Sequence, residues 1–313
     1  MPIAAVFGWA VALRRTLYRA GVLPSYRVPV PVIVVGNITA GGTGKTPLVL
    51  WVCDFLREHG YSPGIVSRGY GGRGLTMAVR ESSAPAVAGD EPVLLAQRSG
   101  CPIWIGRDRV AAARALIAVN PGCNVIVTDD GLQHYRLRRD FEIAVIDGSR
   151  GTGNGLPLPS GPLRESASRL ADVDAVVVTG DGFLRAARPA TFAMALEGKE
   201  FRNLLNPAFR QEAGAFHGMR VHAIAGIGNP ARFFDHLQSL GLSFAEHAFP
   251  DHHTYSQGDL AFGDADAIIM TEKDAIKCLR FARETHWVLP VDARVNVELG
   301  RLILEKMKTR HGS

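Results

Sequence analysis

Apolar runs and polar breaks alternate along this chain in a rhythm that predicts strand, turn and helix, repeated. Val32-Ile33-Val34-Val35 is a β-branched run that enters a glycine-rich turn, and Leu48 to Leu56 beyond it has helical character. Gly64 to Ser67 is a short strand that opens a second glycine-rich loop carrying Arg68 and Arg73, and Val93 to Arg98 and the Ala-rich Val110 to Val119 are helices. Val125 to Thr128, Phe141 to Asp147 and Ala175 to Thr179 are short apolar strands. Strands apolar on both faces and separated by helices belong in a parallel sheet covered on both sides. From Phe192 to Gly218 the pattern weakens to two short extended segments, Thr191 to Glu197 and Glu200 to Leu205. A second block starts at Arg220. It has a strand (Val221 to Ala225), a helix (Ala231 to Leu240) with Phe233, Phe234 and Leu237 on one face, and a strand (Asp266 to Met270). A helix opened by Thr271 and a last strand (Trp287 to Val291) complete it. Thr271 with Asp274 three residues on resembles a capping box. The expected organisation is a first domain over 1–190, a linker over 191–218 and a smaller α/β domain over 219–313.

Composition adds bounds. Of 313 residues, 47% are hydrophobic and 21% charged, which supports a sizeable core and excludes a disordered chain. The net charge of +5, carried mostly by arginine, suits an anionic partner such as a nucleotide, a lipid or a phosphosugar. No stripe of basic residues interleaved with aromatics marks single-stranded nucleic acid, so none is expected as partner. Cys53, Cys101, Cys123 and Cys278 are scattered without a C-x-x-C, which fits a reducing compartment and argues against zinc or a disulfide framework. The start is unusual. Pro2 to Leu13 is apolar with Phe7 and Trp9 inside it, Arg14, Arg15 and Arg19 follow, and no acidic residue precedes Asp54. The run is shorter than the ~20 residues a membrane span needs and lacks the leading basic residue of a secretion signal. Two readings stay open for about residues 1–20: a helix in the interface of an anionic membrane, or a first helix packed on the domain's own sheet.

The chemistry concentrates at strand ends. Thr39-Ala40-Gly41-Gly42-Thr43-Gly44-Lys45-Thr46 lies where a strand hands over to a helix. Glycines there let successive backbone N–H groups face a phosphate, the helix start adds partial positive charge, Lys45 can reach the β/γ-phosphates, and the Thr46 hydroxyl can ligate Mg²⁺. The first position of the usual G-x-x-x-x-G-K-[ST] pattern is Thr39, not glycine; Lys45 is the only lysine before Lys199. The plain alternative is an ordinary glycine-rich turn. Asp129 and Asp130 close the strand Val125 to Thr128, where a carboxylate beside a phosphate loop holds Mg²⁺ directly or through water. Together these features predict an α/β fold with a P-loop NTPase-like, mostly parallel sheet and helices on both faces. Arg68 is a candidate anion contact or part of a surface loop. Asp90, before Glu91 and Pro92, stands where an N-cap would. Gly148 to Arg169 is a long Gly/Pro-rich loop, more often functional than idle, with Arg164 and Glu165 as candidate contacts. Asp251-His252-His253 reads as a histidine oriented by a carboxylate rather than as a metal site.

Taken in order, Gly36 to Pro47, Ser67-Arg68-Gly69-Tyr70-Gly71-Gly72, Gly89-Asp90-Glu91-Pro92, Asp129-Asp130-Gly131-Leu132-Gln133-His134, Gly161-Pro162-Leu163-Arg164-Glu165, Phe249-Pro250-Asp251-His252-His253 and Thr271-Glu272-Lys273-Asp274 resemble the tetraacyldisaccharide 4'-kinases, the lipid A 4'-kinases of Gram-negative bacteria. The resemblance runs to about residue 295. Thr39 in place of the first glycine is as expected in that family, and Leu132 stands where the family often has Phe. The resemblance implies ATP-dependent phosphorylation of the 4'-hydroxyl of a tetraacylated glucosamine disaccharide 1-phosphate, giving lipid IVA. It implies a larger P-loop domain and a smaller one with the site between them, peripheral attachment to the cytoplasmic face of the inner membrane, and no obligate protein partner. It makes Asp90 the catalytic base, paired with His252 (or its neighbour His253). Lys45 and Thr39 to Gly44 would cradle ATP, Arg68, Arg164 and Glu165 would lie around it, and Thr46 with Asp129 or Asp130 and Glu91 would organise Mg²⁺. The rival from another class is a P-loop NTPase switch or metallochaperone, although no N-K-x-D motif for reading a guanine base is present.

Overall fold

The computed structural model describes residues 2–70, 74–180, 182 and 189–311. Gly71, Gly72 and Arg73, and the last two residues of the expected second domain, lie outside the described residues. Helix α1 (Pro2–Arg19) precedes β1 (Val32–Gly36), and helix α2 (Lys45–Glu58) follows the glycine-rich turn. Then come β2 (Pro63–Ser67), β3 (Met77–Val79), α3 (Pro85–Ala88), α4 (Asp90–Ser99), β4 (Ile103–Ile105) and α5 (Arg109–Val119). Strands β5 (Val125–Thr128), β6 (Phe141–Asp147), β7 (Ala175–Thr179) and β8 (Ala190–Glu197) follow. These strands lie in the order β8-β7-β6-β1-β5-β2-β4-β3, and one more strand from near the C-terminus extends the sheet beyond β8. Every pairing from β8 to β4 is parallel; only the two edges are antiparallel.

Strand β1 shows why both faces read as apolar. Ile33 and Val35 enter one core with Leu48, Val52 and Leu56 of α2 and Leu95 of α4. Val32 and Val34 enter the other with Val110, Ala113 and Leu116 of α5. A strand buried on both sides has no polar face to show. The chain leaves β1 toward β2 on one side and later builds β6, β7 and β8 on the other. The crevice at such a switch point lies outside the strand C-termini, which is where the turn after β1 and the aspartates after β5 project.

A second, six-stranded sheet follows. It is built from β9 (Glu200–Asn203), β10 (Arg210–Glu212), β11 (Val221–Ala225), helix α6 (Pro230–Ser239), β12 (Phe244–Ala248), β13 (Ala267–Thr271), helix α7 (Glu272–Cys278) and β14 (His286–Leu289). Its strand order is β10-β9-β14-β13-β11-β12. Phe233, Phe234 and Leu237 of α6 are buried on it, as their spacing predicts. The chain then closes with β15 (Asp292–Val295) and α8 (Val297–His311).

Two expectations about organisation need correction. The segment 191–218 is not a linker: β8 pairs with β7 in the large sheet, while β9 and β10 open the small one. Nor does the small unit run to the C-terminus, and Trp287 to Val291 is not the last strand. Strand β15 pairs antiparallel with β8, and Leu299, Ile303 and Met307 of α8 join the large-sheet core beside α2. The chain thus crosses between the sheets twice, near residues 198 and 291. The crossings touch, since a Cβ on Gly198 would fall 2.2 Å from the Pro290 carbonyl oxygen.

Candidate active site

The turn after β1 is held open by its neighbours. Gly44 adopts φ 89°, a left-handed conformation that favours glycine, and caps α2 so that Lys45 and Thr46 start the helix. The Thr43 carbonyl accepts from Thr179 Oγ1 at 2.7 Å at the end of β7, and Thr43 Oγ1 accepts from Asn37 Nδ2 at 3.3 Å. Thr39 is buried and bridges to Leu163 of the long loop, and its backbone is not among the positive-φ positions. Glycine's freedom is therefore not needed there, which is why the motif tolerates threonine.

The carboxylates cluster opposite. Asp130 accepts from Arg164 Nη1 at 2.8 Å and lies 3.7 Å from Lys45 Nζ. Burial would raise its pKa, but Lys45 and Arg164 outweigh that and hold it below the usual carboxylate range. Asp129 is fully buried beside Ser67, and its Oδ1 has no hydrogen-bond partner. Burial, with the nearby Glu91 charge adding to it, pushes Asp129 up to about 7. A buried carboxylate short of a partner asks for a cation.

Asp90 is not the N-cap of α4. Gly89 takes that place, and Asp90 is the first helical residue, buried, with its Oδ1 accepting from the Glu91 N–H at 2.9 Å and its Oδ2 turned to other work. That side chain meets His252 from the small-sheet half, Oδ2 to Nδ1 at 3.1 Å. Burial opposes the Asp90 charge, but the hydrogen bond from His252 and the Lys273 charge hold its pKa low. The hydrogen bond to Asp90 in turn raises His252. Both shifts point to a carboxylate–imidazolium pair. His253 turns elsewhere, to Asp259 at 3.4 Å and against Phe249 and Tyr255. Among the described residues, Asp130 (φ 50°) and His252 (φ 61°) are the only non-glycine residues with positive φ, and such strain gathers at functional sites.

One cleft of about 1270 Å³ connects these groups. It is lined by Ala40 to Pro47, Arg68, Glu91, Asp130, Arg164 and His252, so the predicted residues Ala40, Gly41, Gly42, Thr43, Gly44, Lys45 and Thr46 all face it. Thr39, Asp90, Asp129 and Glu165 are buried and do not line it themselves, Asp90 adjoining it through its bonds to the lining residues His252 and Glu91. Glu165 is buried, accepts from Gln133 Nε2 at 2.8 Å and pairs with the Tyr135 hydroxyl, so it orients two lining residues instead of meeting the cleft itself.

Several lining residues escaped sequence reasoning. Lys273 bonds Glu91 at 3.1 Å and Asp251 at 3.0 Å, joining α7 to α4. Its signals were its place in the Thr271 cap, whose hydroxyl accepts from the Asp274 N–H at 3.2 Å, and in the Thr271–Asp274 motif of the family resemblance, neither of which placed it at the cleft. Arg109 is almost fully buried; burial pushes it down to about 10 against the pull of Asp130 and Asp129. An arginine at the start of a helix gave no sign of that.

The chain matches a family model described as tetraacyldisaccharide-1-P 4'-kinase over residues 1–308. The tetraacyldisaccharide 4'-kinase of Methylobacillus flagellatus is 49% identical over 98% of this chain and 90% of that protein. Its counterpart from Alkalilimnicola ehrlichii is 54% identical over 94% and 87%. Among solved structures, LpxK from Aquifex aeolicus, crystallised in complex with ATP, superposes with a TM-score of 0.83 at 29% identity, covering 98% of each chain. The chain belongs to the tetraacyldisaccharide 4'-kinase family and is a kinase of lipid A biosynthesis.

Proposed function

We propose that the cleft binds ATP with its phosphates on Gly41 to Thr46, and that Asp90 receives the proton of the acceptor hydroxyl, the 4'-OH of a tetraacyl disaccharide 1-phosphate. The observation that carries this reading is the Asp90–His252 pair, joined across the two halves at 3.1 Å, beside a cleft whose floor is the Lys45 loop. A sugar hydroxyl is a poor nucleophile; a carboxylate can orient it and accept its proton late in a loose transition state. His252, with its raised pKa, keeps Asp90 ionised and directs one oxygen. Lys45 and Arg164 lie where charge on a transferring phosphoryl group would be neutralised, each now resting on Asp130. Arg68 lines the same cleft.

The donor set suits Mg²⁺. Asp129 has a buried oxygen without a partner, and Thr46, Glu91 and Asp130 line the cleft nearby. Among the described residues no three acidic, histidine or cysteine side chains converge on one point, as fits an ion completed by waters and phosphate oxygens. Thr46, Glu91, Asp129 and Asp130 would hold it, and once bound it neutralises phosphate charge.

The lipid end follows from α1. Ile3, Val6 and Trp9 on its outer side are exposed by 66–71%, while Phe7, Val11 and Arg14 line the cleft on its inner side. A helix buried on the domain's own sheet would not leave this face bare; Ala4 is its only buried residue. No helix among the described residues is long and apolar enough to cross a membrane. We read α1 as lying in the surface of an anionic membrane, the cytoplasmic face of the inner membrane, with the cleft opening beside it to take the acyl chains. The switch or metallochaperone reading leaves the Asp90–His252 pair and this helix without a role.

The test is incubation with labelled ATP and tetraacyl disaccharide 1-phosphate. Wild type yields labelled lipid, whereas Asp90→Asn binds ATP normally and yields almost none. Near wild-type turnover in Asp90→Asn would overturn the assignment. Trp9→Glu should weaken co-sedimentation with anionic vesicles; unchanged sedimentation removes the membrane role of α1.

A further inference from the structure

Asp147 ends β6, is 1% exposed, and does not line the cleft. Its carboxylate gathers donors from both halves of the molecule. From its own loop it accepts from Ser149 Oγ at 2.7 Å, the Ser149 N–H at 3.1 Å and Arg150 Nε at 3.1 Å. From the small-sheet half it accepts from Asn229 Nδ2 at 3.1 Å and pairs with Arg232 of α6. Arg150 then spans the seam. Its Nη2 donates to the Gly42 carbonyl at 3.1 Å and its Nη1 to the Gly228 carbonyl at 3.2 Å. The seam is closed: a Cβ on Gly228 would fall 2.2 Å from Gly42 N and 2.9 Å from Gly41 Cα. The turn between β11 and α6 therefore lies directly on the glycine-rich loop after β1.

The contact bears on the loop's chemistry. The Gly42 carbonyl and the Thr43 N–H belong to one planar peptide and point in opposite directions. Arg150 on that carbonyl fixes the direction of the Thr43 N–H, as Thr179 on the Thr43 carbonyl fixes that of Gly44. Asp147 fixes Arg150. We propose that Asp147 and Arg150 form a latch that presses the turn Gly226–Asn229 onto the phosphate loop and sets nucleotide affinity, acting as positioning residues. The proposal rests on the reading that this loop binds the phosphates of ATP. Loss of either member removes charge-assisted hydrogen bonds that tie the turn to the loop, so it shifts the population toward states with the turn lifted. A nucleotide that needs the closed state then binds more weakly in proportion to the closed fraction.

The experiment is steady-state kinetics with ATP and the lipid acceptor varied separately, for wild type, Asp147→Asn, Arg150→Ala, Gly228→Ala and Lys45→Ala. Arg150 is 41% exposed, so its truncation should not unfold the chain even if Asp147→Asn does. Gly228→Ala lifts the turn without removing a charge. Arg150→Ala and Gly228→Ala are each expected to raise the KM for ATP by about tenfold, with kcat and the acceptor KM within about twofold. An unchanged ATP KM in both, or a fall in kcat with the ATP KM intact, overturns the latch. Failure of ATP binding in Lys45→Ala alongside a normal Arg150→Ala sinks the latch alone. A wild-type kcat and ATP KM together in Lys45→Ala remove the phosphate-loop reading on which the latch rests.

Discussion

On the large-sheet side the phosphate end of the cleft is walled by one continuous segment and one aspartate. Ala40 to Thr46 is one continuous turn between β1 and α2, and Asp130 comes from the turn that ends β5. On the small-sheet side the wall is made of side chains from separate places: Asn229 and Arg232 around the start of α6, His252 from the loop after β12, and Lys273 from α7. The first wall is specified by seven consecutive residues together with Asp130. The second exists only when three distant segments fold together and dock on the first. Stabilisation of phosphoryl charge should therefore rest on the loop's own residues, with nucleotide affinity tuned by the turn that Arg150 holds against it, whereas proton transfer should depend on His252 reaching Asp90 across the two halves.

The largest expected effect tests the local wall. Lys45→Ala should cut kcat by roughly a thousandfold, the scale on which charge stabilisation in a transition state is lost, while the thermal midpoint stays close to wild type. Turnover of labelled lipid measures it. If Lys45→Ala retained more than a tenth of wild-type kcat, the turn would be an ordinary glycine-rich bend.

The second effect tests the assembled wall. His252→Ala should reduce kcat by about a hundredfold, the scale of a lost acid–base partner, with the KM for ATP little changed. His253→Ala should stay within a few-fold, because His253 faces Asp259 and not Asp90. Equal losses in the two variants would mean that the Asp90–His252 contact is not the working pair.

The same contrast explains how much was legible beforehand. The loop after β1, the aspartates after β5 and the apolar face of α6 follow from residues within one or two turns of each other, and the structure forms each of them where the chain's pattern puts it. The Thr271 cap is of the same kind. What failed depends on distant pairing. Strand β15 joins β8 across about a hundred residues, Glu197 opposite Asp292, and no local pattern says that a chain will return to a sheet it has left. Glu165 looked like a site residue because it follows Arg164 in a functional loop. Its burial against Gln133 and Tyr135 is a matter of packing from β5 onward. The place of Lys273 in the site is equally invisible, since Glu91 and Asp251 lie far from it in sequence.

A smaller effect tests where the C-terminal helix belongs. Ile303 is fully buried in the large-sheet core with Leu299 and Met307. Ile303→Ala should cost about 2–5 kcal/mol in unfolding free energy, as deletions of buried aliphatic groups do. Urea unfolding followed by circular dichroism would show it. An unchanged midpoint would mean that α8 is not part of that core.

The smallest effect comes from the small sheet and is read through pH. His286 on β14 is 1% exposed, and its Nδ1 has no hydrogen-bond partner. Burial, with the Arg283 charge adding to it, pushes its pKa down to about 4 from the ordinary 6.5. The sign follows from proton counting. Between about 4 and 6.5 the unfolded chain binds a proton at this histidine that the folded chain refuses, so the unfolded state gains as pH falls. His286 therefore contributes a loss of stability on acidification through that window and nothing above it. His286→Phe removes the titrating group at comparable bulk. The difference in urea midpoint between pH 7 and pH 5 should shrink in this variant relative to wild type, and a difference of the same size in both would mean that His286 does not titrate on unfolding. Since His252 is raised by its hydrogen bond to Asp90 while His286 is depressed by burial in the small sheet, the same variant should leave the pH dependence of kcat where it was.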